Sequence, residues 1–166
     1  RQEIIDLVFY GLGEPRQFAP MESSPLYNEQ MAYQYLEYNP ELANEYLDKA
    51  GLTERDGEGY RVMANGERLT LELFYANPTY ALGWPQIVTL LEDHWEAVGV
   101  DIVVHEVNMN EHTERRNTNN FDITIFTGDG GTGITPILDA RNYLPTGYFS
   151  WFGIGWVLWH ENRNQS

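Results

Sequence analysis

The fold class of the chain follows from residues 69–107, which have the sequence LTLELFYANPTYALGWPQIVTLLEDHWEAVGVDIVVHEV. Apolar and polar residues alternate over 69–76, which predicts a strand whose odd-numbered residues form one buried face. Apolar residues then recur at spacings of three and four over 84–98, which predicts a helix, and the sequence of 100–107 predicts a second strand. This strand–helix–strand order is typical of an α/β fold that contains parallel strand pairs.

Further helices and strands are predicted on both sides of this stretch. Asn39 is a favourable N-cap and Pro40 suits the first helical position, so residues 40–50 are expected to form a short helix. Asn65-Gly66 is the favoured pair for a tight two-residue hairpin turn just before the first strand. The other elements are predicted at 1–10, 29–35, 110–117, 122–126 and 135–140. Together these patterns predict an α/β unit in which a mixed sheet is flanked by helices.

The composition limits the classes of partner. The 166 residues include 25 Asp and Glu against 10 Lys and Arg, so the net charge is −15. Such a surface repels phosphate backbones and anionic lipids, and neither nucleic acid nor a membrane surface is an expected partner. No cysteine is present, which excludes disulfides, thiolate metal sites and cysteine nucleophiles. The longest apolar run, 151–159, is much shorter than the roughly 20 residues that span a bilayer, so no membrane-inserted segment is predicted.

A glycine-rich segment after the predicted strand at 122–126 raises an enzymatic alternative. Residues 128–133, GDGGTG, match G-x-G-x-x-G, the pattern of dinucleotide-binding turns. Little chain follows the segment, however, and no acidic residue ends a second strand about 20 residues later, where a ribose would need it. Pro136 interrupts the following sequence, which contains no long amphipathic helix. A nucleotide-dependent enzyme therefore stays a remote alternative.

Other site classes receive little support from the sequence. The four histidines have no pair at a metal-ligand spacing, and no serine lies in a nucleophile elbow, so neither a metal, a cofactor nor a catalytic residue is predicted. A stand-alone carbohydrate-binding module would explain the many aromatic residues. The alternation of strands and helices argues against it, because such modules are commonly all-β.

Five groups of residues resemble, in the same order, the family 5 extracellular solute-binding proteins of ABC importers. They are the start of the chain (RQEIID to GLGEP, 1–15), the NPELA helix that ends in LDKAGL (39–52), the hairpin with GYR and RLTL (59–71), VGVD (98–101) and Phe121-Asp122. The resemblance covers residues 1–140 and leaves 141–166 as an aromatic tail. It implies that 1–166 is a single lobe, truncated at both ends, of a larger two-lobed protein with a type II periplasmic-binding-protein-like fold.

The resemblance also implies a function. The whole protein would be extracytoplasmic, either periplasmic or a cell-surface lipoprotein. It would close on a solute by hinge motion and deliver it to ABC permease subunits, without catalysis of its own. The implied solute is an oligopeptide, and an oligosaccharide is the alternative.

Candidate ligand contacts follow from the rule that open α/β sheets bind ligands at the carboxyl ends of their strands. One predicted wall of the site follows the strand at 122–126, and the other follows the strand at 69–76. The first wall consists of Thr127, Gly128, Asp129, Gly130 and Thr132, and the second of Tyr75, Tyr80 and Trp84.

Asp129 is the carboxylate of the first wall. In peptide-binding relatives, the region after the Phe-Asp strand commonly has a Trp and then an Asp that pairs with the peptide amine. This chain lacks that Trp, and Asp129 comes two or three positions early. Amine recognition by this lobe is therefore an open question. The alternative for Asp129 is a turn residue that satisfies nearby backbone amides.

The tryptophans have two interpretations. Trp151, Trp156 and Trp159 can offer flat faces to sugar rings or peptide side chains, or they can pack in the core or on the rest of a longer protein. Trp95 lies on the apolar stripe of its helix and is expected in the core. Trp84, at the start of the same helix, is compatible with either role.

Overall fold

A computed structural model describes residues 1–76, 83–127, 131–147, 150 and 152–163 of the chain. Its elements are, in chain order, α1 (Gln2–Val8), α2 (Glu29–Tyr33), α3 (Pro40–Lys49), β1 (Thr70–Ala76), α4 (Trp84–Glu96), β2 (Asp101–Val107), α5 (Met109–Asn117), β3 (Ile123–Ile125), α6 (Thr135–Leu138), a 3-10 turn (Ala140–Asn142) and α7 (Ile154–Arg163). Within the described ranges, no helix has both the length and the apolar character needed to cross a bilayer.

The chain divides into two compact units that are each assembled from separate stretches. The first unit comprises 1–14, 37–107 and 122–125, and it contains the three strands with α1, α3 and α4. The second comprises 15–36, 108–121 and 126–166, and its described elements are helices.

The sheet of the first unit has the strand order β2-β1-β3, and both pairings are parallel. Thr70 lies opposite Asp101 at the start of the first pairing, and Tyr75 lies opposite Ile125 at the end of the second. α4 connects β1 to β2, as a parallel pair requires. The predicted parallel pairs are thus confirmed. In the described residues, antiparallel pairing is limited to isolated bridges in the hairpin region, so the sheet itself is parallel rather than mixed.

β1 departs from the predicted pattern of one buried face. Leu73, Phe74, Tyr75 and Ala76 are consecutive, and each is at most 5% exposed. The expected alternation is therefore wrong for the second half of the strand. β1 is the central strand, and the residues of a central strand in a parallel sheet are covered on both faces.

The sequence signal for the start of α3 is confirmed, and that for the hairpin turn is confirmed in its position. The Asn39 side chain accepts a hydrogen bond from the Leu42 backbone N–H at 2.9 Å, so α3 begins at its predicted N-cap. The hairpin turn lies where it was predicted, but its loop has three residues, 64–66, instead of two. The Met63 N–H donates to the Glu67 carbonyl at 2.8 Å, and of the Asn65-Gly66 pair only Gly66 has a positive φ, +86°. Gly66 supplies the positive φ that this turn needs.

α4 begins at Trp84, as predicted, and buries Val88. Trp95, expected in the core, is only half-buried. The backbone of Gly83, with φ +99°, precedes the helix, and a Cβ at Gly83 would lie 2.5 Å from Cγ1 of Val8. The start of α4 therefore packs closely against the end of α1.

A buried arginine connects the helices of the first unit to the hairpin. Arg61 is 1% exposed. Its Nε donates to the Val98 carbonyl at 2.9 Å, beyond the end of α4. Its two Nη atoms donate to Asp48 Oδ1 and Asn44 Oδ1, both at 2.6 Å and both on α3, and Nη1 also reaches the Leu52 carbonyl. A buried charge is tolerable only when it is paired and hydrogen-bonded in this way.

Replacing Arg61 is expected to destabilise the chain strongly. Arg61→Ala removes a fully buried side chain and takes its donor from the Leu52 carbonyl, whereas Asn44 Oδ1 and the Val98 carbonyl keep Arg55 as a donor and Asp48 is half-exposed. The free energy of unfolding should therefore fall by about 2–4 kcal/mol in urea titrations, mainly through lost packing. Arg55→Ala is the matched control, because exposed Arg55 donates to two of the same acceptors, Asn44 Oδ1 and the Val98 carbonyl. Arg55→Ala should lower the free energy of unfolding by about 1 kcal/mol or less. Equal losses in the two variants would contradict the role given to Arg61.

The described core of the second unit includes buried histidine as well as apolar residues. Ala32 on α2 and Ile154 on α7 are fully buried, and Val157 is 4% exposed. His112 on α5 is 2% exposed, and its ring stacks on Phe126 with 5.6 Å between centroids. Burial, and then the positive charge of Arg116, lower the pKa of His112 below its usual value.

This lowered pKa predicts acid sensitivity. Below about pH 6.5 the unfolded chain binds a proton at His112 while the folded chain does not. The stability associated with neutral His112 is therefore present above that pH and is lost as the pH falls toward the folded-state pKa. His112→Gln should flatten the fall in unfolding free energy between about pH 8 and pH 5. His160→Gln, at an exposed position of α7, is the control. If the unfolding free energy of His112→Gln depended on pH as steeply as that of the unchanged protein, buried His112 would not be the source of the acid sensitivity.

Candidate functional site

The three parallel strands bring their carboxyl ends to one edge of the sheet of the first unit. Tyr75, near this end of β1, is 5% exposed, and its hydroxyl donates to Glu106 Oε2 on β2 at 2.9 Å. Burial, the hydrogen bond to Glu106, and the negative charges of Glu106 and Glu92 raise the pKa of Tyr75. Tyr75 is thus a neutral hydroxyl whose proton is already directed at a carboxylate.

Of the other two residues in the predicted second wall, the structure describes Trp84 but not Tyr80. Trp84, at the start of α4, is 6% exposed and lies in the core of the first unit. Tyr80 lies outside the described residues. Neither Tyr75 nor Trp84 presents an open face here, and their contact with a ligand stays a prediction.

The predicted first wall lies on the second unit. Thr127 and Thr132 are both exposed, and within the described part of the chain neither hydroxyl has a hydrogen-bond partner. Gly128, Asp129 and Gly130 lie outside the described residues. The two threonines are therefore able to bond a ligand, and the role of the three residues between them stays a prediction.

The second half of the glycine-rich turn is held by packing. Gly131 is buried with φ +61°, and its carbonyl accepts from the Met21 N–H at 2.8 Å. A Cβ at Gly131 would lie 2.6 Å from the Tyr143 hydroxyl. The Gly133 N–H donates to Ser23 Oγ at 3.1 Å. These contacts fix the backbone on either side of Thr132.

The helix after this turn does not suit a dinucleotide. α6 has four residues, Thr135–Leu138, with Pro136 in its first turn. The dinucleotide fingerprint needs a longer helix whose N-terminus carries the pyrophosphate. The match of 128–133 to G-x-G-x-x-G therefore lacks the structural context that would support it. In the described residues, no cluster of three or more His, Asp or Glu side chains is arranged to hold a metal ion.

The structure bears on the two interpretations of the tryptophans in the aromatic tail. Residues 154–163 form α7, with Ile154 and Val157 on its buried face, whereas Trp156 is 72% exposed and Trp159 is 55% exposed. These two tryptophans therefore do not lie in the core. Trp151 lies outside the described residues.

A groove of about 400 Å³ runs beside these tryptophans. Its described lining consists of Trp156, Trp159, Gly153, Gly155 and Asn119. The repeat of apolar residues at 154, 157 and 158 was a signal for the helix. Two glycines and two exposed tryptophans obscured that signal, and nothing local in the sequence pointed to Asn119.

Comparison with known proteins identifies the family. The family model for bacterial extracellular solute-binding proteins, family 5 (middle region), matches residues 1–150. The five resembling groups over 1–140 therefore did indicate the right family, and the match extends into the aromatic tail. None of the curated proteins compared with the chain matches it.

Solved structures share the fold. The oligopeptide-binding protein OppA superposes with a TM-score of 0.82 at 24% identity, over 98% of this chain and 26% of its own. AppA from Bacillus subtilis, in complex with a nonapeptide, gives 0.62 at 22% identity, over 75% of this chain and 25% of its own. The periplasmic oligopeptide-binding protein of Thermotoga maritima, with bound mannohexaose, superposes with a TM-score of 0.56 at 19% identity. The match covers 74% of this chain and 23% of the Thermotoga protein.

The chain spans about a quarter of the length of each of these solved proteins. At such identities the likeness concerns the fold, and the predicted α/β class with a small sheet flanked by helices is confirmed. The family model covers nearly the whole chain. The chain therefore belongs to the bacterial extracellular solute-binding proteins, family 5.

Proposed function

We propose that this chain supplies part of the ligand-binding surface of a protein that captures a solute outside the cytoplasm and delivers it to an ABC-type importer. The observation that carries the proposal is the match of the family 5 model to residues 1–150. The protein acts by binding, without catalysis, and its partners are the solute and the permease subunits. It works in the periplasm or, as a lipoprotein, at the cell surface.

The first candidate solute is an oligopeptide. All three solved relatives named above are called oligopeptide-binding proteins, and AppA was solved with a nonapeptide. The exposed hydroxyls of Thr127 and Thr132 are suited to backbone amides and carbonyls of an extended peptide. Asp129, between them in sequence, is the candidate partner of a peptide amine. The net charge of −15 favours a cationic over an anionic solute.

An oligosaccharide is the second candidate. The Thermotoga relative was solved with mannohexaose. The same exposed hydroxyls can bond sugar hydroxyl groups, and the exposed tryptophans of α7 offer flat apolar faces.

Native mass spectrometry of the intact protein, purified without denaturant, tests the proposal and separates the two candidates. Adducts at amino-acid-residue mass spacings support a peptide carrier, and adducts at hexose or pentose spacings support a sugar carrier. A nucleotide mass would overturn the proposal in favour of the dinucleotide alternative. A ligand-free protein that also fails to bind peptides and sugars in titrations would overturn it outright.

Substitutions in the first wall test the site itself. Asp129→Ala and Thr132→Ala in the intact protein should each weaken the affinity for the co-purified solute about tenfold, the effect of losing one hydrogen bond to a ligand. The melting temperature should change little for Thr132→Ala, because its side chain is exposed and makes no hydrogen bond to the described residues. Thr53→Ala, at another exposed position, is the control. Unchanged affinity in both variants would exclude this turn as the site.

A further inference from the structure

Thr132 is the single side chain between two glycines of the glycine-rich turn, and both glycines have left-handed backbones. The φ angle is +61° at Gly131 and +53° at Gly133. Glycine adopts this conformation without steric cost, but it also loses the most conformational entropy when a chain becomes ordered. A turn of this composition therefore keeps the Thr132 side chain in one direction only if other parts of the molecule fix its backbone.

The two peptide groups next to Thr132 are both held from outside the turn. The group between Gly131 and Thr132 is held by its carbonyl, which accepts from the Met21 N–H at 2.8 Å. The group between Thr132 and Gly133 is held by its N–H, which donates to Ser23 Oγ at 3.1 Å. Because peptide groups are planar and the Cα of Thr132 joins these two, the contacts set the direction of its side chain.

The segment that supplies both contacts, 19–24, is itself anchored. Ala19 and Ser24, at its two ends, are 9% and 5% exposed. The Ser24 N–H donates to the Met21 carbonyl at 2.8 Å, which closes a four-residue turn with Ser23 inside it. The segment and the glycine-rich turn both belong to the second unit. Their contacts are internal to that unit, so they do not depend on which surfaces the rest of a longer protein covers.

Ser23 is the side chain of this arrangement that a substitution can remove while the backbone stays the same. Met21 contributes through its main chain, and the Thr132 carbonyl accepts from the Thr135 N–H at 3.1 Å, which is also a main-chain contact. Ser23 is exposed, so Ser23→Ala deletes a hydroxyl without opening a cavity. The serine and the amide that it holds are 110 residues apart in sequence. The hydrogen bond is therefore not a local feature of the glycine-rich turn.

We propose that Ser23 is a positioning residue for the ligand-binding surface: it holds the Gly133 peptide group and thereby directs Thr132 toward the solute. The inference rests on the proposed function, which makes Thr132 a ligand contact. Ser23 does not itself touch the solute. It contributes by preorganisation, because a turn that is already ordered loses little further conformational entropy when the solute binds.

Amide hydrogen exchange of the intact protein, without solute, tests the support of the turn. Ser23→Ala should speed exchange of the Gly133 amide about fivefold, the effect of one lost hydrogen bond, while the melting temperature changes little. Ser23→Thr keeps the hydroxyl and should restore slow exchange. Asn65→Ala is the matched control, because exposed Asn65 Oδ1 also accepts one backbone N–H, that of Glu67 at 3.0 Å, but in the hairpin. Equal exchange of the Gly133 amide in Ser23→Ala and in the unchanged protein would overturn the proposal.

A double-mutant cycle tests whether this support serves binding. The probes are tetra-alanine, mannohexaose and any co-purified solute that native mass spectrometry identifies, each titrated into the intact protein by calorimetry. Ser23→Ala should weaken the affinity for the probe that binds about fivefold, whereas Ser23→Thr and Asn65→Ala should not. In the Thr132→Ala background, Ser23→Ala should have no further effect, because Ser23 acts through Thr132. Losses that add in the double variant would overturn the positioning role, since a direct contact between Ser23 and the probe gives additive effects.

Failure of this inference can be told apart from failure of the proposed function. If the unchanged protein binds a probe and Ser23→Ala binds it equally well, the proposed function stands and the positioning role is overturned. The role is also overturned if Thr132→Ala leaves the affinity unchanged. If the unchanged protein binds none of the probes, the proposed function and the positioning role are overturned together.

Discussion

The first unit depends on the satisfaction of one buried guanidinium group. A charge at this depth costs several kcal/mol unless each of its donors has an acceptor. The acceptors of Arg61 come from α3, from Leu52 in the turn that follows it and from Val98 just beyond α4, so these segments must meet at one point. The backbone of Arg61 also pairs with Gly99 and Leu69, immediately before β2 and β1. The positions of two helices and the starts of two strands are therefore coupled through this residue.

Features controlled by neighbouring residues could be predicted from the sequence. Asn39 and Pro40 specify the start of α3 because the cap uses only the local backbone. Gly66 specifies its turn for the same reason. The order of strands and helices was enough to predict parallel pairing, since a helical crossover leaves few other connections. Five short groups of residues, in the same order as in the family 5 proteins, were enough to predict the correct family.

Features that depend on distant residues could not be predicted. An arginine in a hairpin is usually exposed, and only the convergence of α3 and α4 buries Arg61. The central position of β1 depends on β3, about 50 residues later, and that position is what buries consecutive residues at its end. Tyr75 follows from this: its alternation pattern and strand-end position suggested a ligand contact, whereas the structure directs its hydroxyl to Glu106 on the neighbouring strand.

Two residues of the second unit, Asn119 and Gly131, have left-handed backbones for different reasons. Gly131 is required by packing, because any side chain would meet the Tyr143 hydroxyl, and it fixes the backbone that carries Thr132. Asn119 is not required in that sense. Glycine is the residue most favoured at the end of a Schellman motif, and asparagine is the other residue that commonly adopts its left-handed conformation. The left-handed turn at the end of α5 is therefore enough to explain the asparagine at position 119.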